Sequence, residues 1–472
     1  MSNSHPNPRY GPEAAAMMRL AAPLALAQLA QIAMGTTDTI LLGSLGSDAL
    51  AAGGLGTNLF FTLMLVVSGS LMSVSILVAH ARGAGENGRI PFALRGGVVL
   101  AILIAIPPML LLSQAEPILL LIGEPAALAH AIGRYDGILL FAMPAALLLA
   151  TQRAFLAAVD RPRMVMSVAL VAVVVNGLLN YGLIHGAWGL PNMGYIGSCT
   201  ATLATFWAMI AAIGLAMRFD RGLRVFRLVG PIDWRVLGEM ATLGWPISLL
   251  LFVEITLFTV SALIIGMFGT IALAAHQISM NCAAVTFMVP LAISQAVNVR
   301  VGYHAGAMMP RAARLSGVVG FLLGLGFMST AAATLLLLPA TIAGLFITAG
   351  DPNRSEVVGL SVRLLTIAAA FQVFDGAQVI AAGALRGLKD TRTPALIAGF
   401  GYWAIGFATA WTLGVRLGYG VTGIWWGLAA GLAAVAILLS LRFWQTSGRM
   451  IRGEAAATVA AGTGFADAAV AE

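Results

Sequence analysis

Charge is what this 472-residue chain has least of: only 10% of its residues are Asp, Glu, Lys or Arg, while 60% are hydrophobic. Soluble proteins carry about a quarter charged residues. The deficit excludes a water-exposed surface over most of the chain and points to lipid as the solvent. Cysteine is nearly absent too. Cys199 and Cys282 both lie in apolar runs, which excludes a disulfide framework. No secretory signal opens the chain: Met1 to Ala15 is polar, without a short apolar core or cleavage pattern, and the first apolar run is long enough to be retained as a span. Blocks of five or more like charges are missing. The net charge of +7 therefore does not imply nucleic acid; it reflects basic residues placed between apolar runs. No Gly-x-Ser-x-Gly elbow or His-Glu-x-x-His helix is present, which argues against a membrane-embedded enzyme.

What is present is long apolar runs. A helix needs about 20 mainly apolar residues to cross the hydrocarbon. That rule predicts spans near 17–42, 50–78, 92–113, 128–151, 164–185 and 195–217, then 236–266, 273–299, 313–338, 357–385, 394–415 and 421–443. The expected organisation is a cytoplasmic N-terminal segment 1–16, a six-helix lobe 17–220, a cytoplasmic loop 221–235, a second six-helix lobe 236–445 and a disordered cytoplasmic tail 446–472. With both ends in the cytoplasm, 22 of the 26 basic residues fall inside, among them Arg153, Arg224, Arg227 and Arg300. Only Arg134, Arg354, Arg363 and Arg416 are left outside. That asymmetry satisfies the positive-inside rule.

The two lobes repeat. A shift of 223 positions places Pro23 on Pro246, Gln31 on Glu254, Gly43 on Gly266, Gly46 on Gly269 and Asn58 on Asn281 without a gap. Six helices per lobe keep the same orientation, so the lobes are related by a pseudo-two-fold axis along the membrane normal. Such repeats are a transporter architecture.

Three carboxylates fall well inside predicted spans: Asp38, Glu254 and Asp375. Each costs at least about 2–3 kcal/mol at the centre of a lipid-facing helix, so each should face the interior. Gln31 shares a helix face with Asp38, and Gln372 and Gln378 border Asp375 at three residues on either side. Asn176 and Asn180 form a polar stripe on the fifth helix. Such groups either glue helices together by hydrogen bonds or couple an ion. For the carboxylates the second reading is favoured, because no Lys or Arg is expected at comparable depth to pair with them. Met34, Phe252, Phe258, Phe371 and Phe374 are candidates to line a cavity.

Together these segments resemble the multidrug and toxic compound extrusion (MATE) family, in its NorM-type branch. The carrying pieces are Pro23…Gln31…Asp38-Thr39, Phe252-Val-Glu254-Ile-Thr-Leu-Phe258, Ala275-His-Gln277-Ile-Ser-Met-Asn281, Val299-Arg-Val-Gly-Tyr303 and Phe371-Gln-Val-Phe-Asp375 on to Gly387. The likeness covers Met17 to Phe443. It implies an all-α, V-shaped protein of two lobes that exports cationic amphipathic compounds in exchange for Na⁺ or H⁺ by alternating access. It needs no further cofactor, and it works as a monomer in a bacterial inner membrane. It further implies coupling at Asp38, Glu254 and Asp375, with Glu254 and Asp375 holding any Na⁺. Asn176, Asn180 and Thr202 would form the first lobe's polar network with Asp38, and the shared helix face adds Gln31 to it. Gln277, Gln372, Gln378, Phe371, Phe252 and Met34 would support the second site or line the cavity. Phe371 stands where some members have tyrosine, which removes one oxygen a hard cation uses.

The nearest rival is a lipid-linked saccharide flippase of the same superfamily, which predicts an arginine-lined cavity for phosphates. A structural membrane protein does not account for buried carboxylates. A major-facilitator transporter matches in helix count, but its charged loop motif is met only loosely by Arg82-Gly-Ala-Gly-Glu-Asn-Gly-Arg89.

Overall fold

The structure, a computed structural model, describes residues 9–223, 226, 230–348 and 350–469, with side chains through 453. Residues 1–8 of the N-terminal segment, Arg224 and Arg227 of the inter-lobe loop, and residues 470–472 lie outside the described residues. Every regular element described is a helix. In order these are α1 (Tyr10–Gly43), α2 (Ser47–Ser68), α3 (Met72–Gly83), α4 (Ile90–Ser113), α5 (Ala115–Leu121), α6 (Ala126–Leu139), α7 (Ala142–Ala158), α8 (Pro162–His185) and α9 (Ile196–Phe219). There follow α10 (Trp234–Gly266), α11 (Thr270–Gly306), α12 (Pro310–Leu337), α13 (Pro339–Gly344), α14 (Arg354–Gly387), α15 (Arg392–Gly399), α16 (Ala408–Trp411) and α17 (Gly420–Ala469). Eleven helices are long and apolar enough to cross a membrane, counting α2 and α3 as one, and α6 with α7 makes a twelfth bent by 48°. Pro144, in the first turn of α7, has no N–H to give the carbonyl four residues back, which is Leu140 at the break.

The repeat is visible in the helix ends. Ser47–Gly83 and Thr270–Gly306 are both 37 residues long and begin 223 positions apart. Each is preceded by a glycine in the left-handed region, Gly46 at φ 109 and Gly269 at φ 101. A side chain there is strained, so a glycine at each of these paired positions is what the tight turn requires.

The chain forms two compact units. The second comprises Ala22–Val78 and Glu86–Ile255; the first comprises Met1–Ala21, Ala79–Gly85 and Thr256–Glu472. These units do not follow the expected lobe boundaries, because the start of α1 and the end of α3 belong with the later helices, and α10 belongs with the earlier ones up to Ile255.

In the first unit α14 is packed by α11, α12 and α17, and its latter half is almost wholly buried. The segment between α15 and α17 is π-helical over Phe400–Phe407 and again over Thr412–Arg416. It packs closely on α17: a Cβ on Gly427 would lie 2.2 Å from the Ala410 backbone. α17 continues as helix to Ala469, where a disordered tail is expected. Its alanines are the residues that favour helix most. In the second unit the main pairings are α8 with α9, α4 with α7, α2 with α6, and α7 with α9.

Candidate functional site

Asp38 sits in α1 of the second unit and is 3% exposed. Asn180 of α8 donates its side-chain amide to Asp38 Oδ1 at 2.7 Å. Thr202 of α9 donates its hydroxyl to Oδ2 at 3.1 Å. One helix thus supplies the acid and two others supply its donors. Among the described residues no Lys or Arg pairs with Asp38, and each of its oxygens accepts one hydrogen bond. Asn176, one turn before Asn180, is fully buried, and neither its amide nitrogen nor its oxygen has a partner among the described residues. Beside this group the Tyr135 hydroxyl lies 2.9 Å from Thr57 Oγ1 and 3.5 Å from Ser198 Oγ, one turn before Thr202.

Gln31 does not join that group by hydrogen bonds. It accepts from Arg153 Nη1 at 3.0 Å. Gln31, Met34, Arg153, Phe206 and Met209 help line one cavity of the second unit, with an empty volume of about 330 Å³ including its mouth. Met34 is buried there. The expectation that Arg153 lies in a cytoplasmic loop is corrected here. α7 continues to Ala158, beyond the expected end of the fourth span, and carries Arg153 with it. Among the described residues no carboxylate pairs with this guanidinium, and its hydrogen-bond partner is Gln31.

In the first unit Asp375 is buried in α14, and Gln378 donates to its Oδ1 at 3.4 Å. Tyr402, in the π-helical stretch, donates in turn to Gln378 Oε1 at 2.5 Å. π-Helical turns recur at functional sites, and this one brings a hydroxyl to the amide beside the acid. Gln372 is wholly buried with both side-chain polar atoms unpartnered among the described residues. Phe371 packs against Phe258 and Trp425 with ring centroids 6.1 and 5.8 Å away, and so acts as packing. Gln277 is exposed in α11. In the second unit Glu254 is half-buried in α10, and Phe252 is 51% exposed. Among the described residues no three His, Cys, Asp or Glu side chains gather as metal ligands do.

Sequence reasoning missed Asp136. It lies within the fourth expected span, at 0% exposure in α6. Counting every acid inside the runs, rather than those nearest their centres, finds it. Tyr402 had no such signal, since its role depends on a π-turn that the apolar pattern does not encode.

A chain of twelve spans in a duplicated arrangement, with buried acids that accept hydrogen bonds from amides and hydroxyls, is a membrane transporter rather than an enzyme. The MatE family model matches it twice, over residues 23–182 and 246–412, with starts 223 positions apart. The chain belongs to the MATE family of multidrug efflux transporters. It is 49% identical to the multidrug resistance protein NorM of Burkholderia vietnamiensis over 92% of this chain and 94% of that one. It is 48% identical to a probable NorM of Burkholderia mallei, over 95% and 97%. In fold it is similar to the eukaryotic MATE transporter AtDTX14, with a TM-score of 0.85 at 20% identity, covering 94% of this chain and 99% of that one. It is equally similar to an outward-facing multidrug resistance MATE transporter, at 0.85 and 16% identity, over 96% and 100%.

Proposed function

We propose that this chain is a secondary active antiporter. It exports cationic amphipathic compounds across a bacterial inner membrane in exchange for H⁺ or Na⁺, as a monomer with both termini cytoplasmic. The observation that carries the reading is Asp38, an acid enclosed by three helices whose oxygens accept from Asn180 and Thr202. Two donors stabilise the ionised form, and among the described residues no fixed cation pairs with it, which leaves the charge for a mobile one. Donors at both oxygens suit exchange of a proton, whereas Na⁺ needs several oxygen ligands. Asp375, with the side-chain oxygens of Gln372 and Gln378 on the same helix, is the better candidate for a hard cation. Glu254 supplies the further coupling carboxylate.

Loading these acids with an ion removes the negative charge that attracts a cationic substrate. The ion then drives release because it binds the two states of the transporter unequally. A flippase for lipid-linked phosphates would want several guanidinium groups in its cavity. Arg153 is a single one and is already bonded to Gln31, so efflux is the better reading.

The test is tetraphenylphosphonium efflux from proteoliposomes under separately imposed pH and Na⁺ gradients. Efflux should follow at least one gradient, and Asp375→Asn and Glu254→Gln should each abolish it. Undiminished coupled efflux in both variants would sink the assignment.

A further inference from the structure

Asp136 is not used by the mechanism above. It is completely enclosed, and neither carboxyl oxygen has a hydrogen-bond partner among the described residues. The space it occupies is made by Gly56 of α2, where a Cβ would lie 2.8 Å from Asp136 Oδ1. The two acids of this unit are thus built oppositely. Asp38 accepts from an amide and a hydroxyl, as an ionised carboxylate wants. Asp136 accepts nothing, and an ionised carboxylate without donors is strongly disfavoured in such a place. Paired acids in contrasting surroundings divide the charged and neutral roles between them.

We propose that Asp136 is a proton-binding site of the second unit, separate from Asp38. It holds its proton in the packed form and gives it up to water when the unit opens during transport. Among the described residues no ion pair or hydrogen bond compensates it instead. From α5, packed on α6, comes Glu116, which lies against Gly133 and pairs with His130 on α6 at 2.6 Å. α2 brings Asp48 in its first turn. α4 brings Arg95, bonded to the Pro231 carbonyl, and α7 brings Arg153, bonded to Gln31. α9 brings the buried thiol of Cys199 and, in its last turn, Arg218. α6 itself adds Arg134 and the Tyr135 hydroxyl, which is engaged with Thr57 and Ser198. When the site is wetted, the O–H bond breaks, the proton leaves as hydronium, and water solvates the carboxylate. Return of the unit to the packed form reverses the step.

Full-length protein in lipid nanodiscs tests this in two arms. Infrared difference spectra at neutral pH should contain a protonated-carboxyl C=O band that Asp136→Asn removes and Asp38→Asn leaves. If Asp136→Asn does not fold, Gly56→Ala serves, since its methyl group presses on Oδ1 and should shift the same band. The second arm rests on the efflux reading. Adding tetraphenylphosphonium in weak buffer, with a pH dye, should release about one proton fewer per protein in Asp136→Asn than in the wild type. An unchanged band in both Asp136→Asn and Gly56→Ala, or an unchanged proton count, overturns the proposal. Failure of the wild type to transport tetraphenylphosphonium would instead remove the efflux reading and leave the spectroscopic arm intact.

Discussion

Asp38 and Asn180 stand 142 positions apart in the chain and 2.7 Å apart in space, the amide of one donating to the carboxylate of the other. Removing that donor leaves Thr202 as the single one. A carboxylate that loses a hydrogen bond to its charged form binds a proton more readily. Asn180→Ala should therefore move the midpoint of the efflux–pH profile to higher pH, while Asn180→Asp should distort the profile by adding a second acid. Dye efflux from everted vesicles across a pH series reads both.

Arg153 places a positive charge in the same unit as Asp38, in the cavity that Gln31 and Met34 help line. Two unit charges about 10 Å apart interact by about 1.5 kcal/mol at an effective dielectric near 20. Arg153→Gln should accordingly tighten binding of a cationic dye by about tenfold. Binding of an uncharged analogue should not change. Fluorescence anisotropy of ethidium with purified protein is the measurement.

Glu13, in the first turn of α1, accepts from Arg300 Nε at 2.9 Å and from the Ser316 hydroxyl at 2.6 Å, and is 8% exposed. Removing one partner of a buried ion pair costs about 3–5 kcal/mol, because the other charge is left uncompensated. Glu13→Ala should lower the unfolding temperature accordingly. The double variant Glu13→Leu with Arg300→Met should recover much of the loss. A melting series in detergent decides it.

Gly83 touches the Tyr303 carbonyl so closely that a Cβ would lie 1.9 Å from it, and Gly306, its partner by the 223-residue shift, would meet the His80 carbonyl at 2.3 Å. Both obstacles are backbone, so neither can rotate away. Gly83→Ala and Gly306→Ala should each cost about 1–3 kcal/mol or more. Gly85→Ala, strained but with nothing within 4 Å of its Cβ, should cost less. The same melting assay ranks the three.

Most of the fold was legible because lipid imposes a simple rule. Runs of about 20 apolar residues must be helices, and the expected spans match the observed helices in order, with Gly46 and Gly269 in the register that the repeat gives them. The site was legible in part. Asp38, Asn180 and Thr202 come together as the resemblance implies, since an acid, an amide and a hydroxyl inside apolar helices have few other places to go. Gln31 was assigned to that group from its helix face, yet it bonds Arg153. A face fixes direction but not depth, and the extent of α7 was read short. Asp136 was missed for a related reason: what singles it out is that no donor reaches it, a property of packing and not of spacing. Tyr402 reaches Gln378 through a π-turn that has no signature in an apolar run.

The central claim is that buried acids exchange ions against substrate, and Asp38→Asn in proteoliposomes tests it most directly. Gradient-driven tetraphenylphosphonium transport should be compared with tetraphenylphosphonium–tetraphenylphosphonium exchange in the absence of any gradient. The account predicts that the variant loses the first and keeps the second. Gradient-driven transport persisting at the wild-type rate would contradict it.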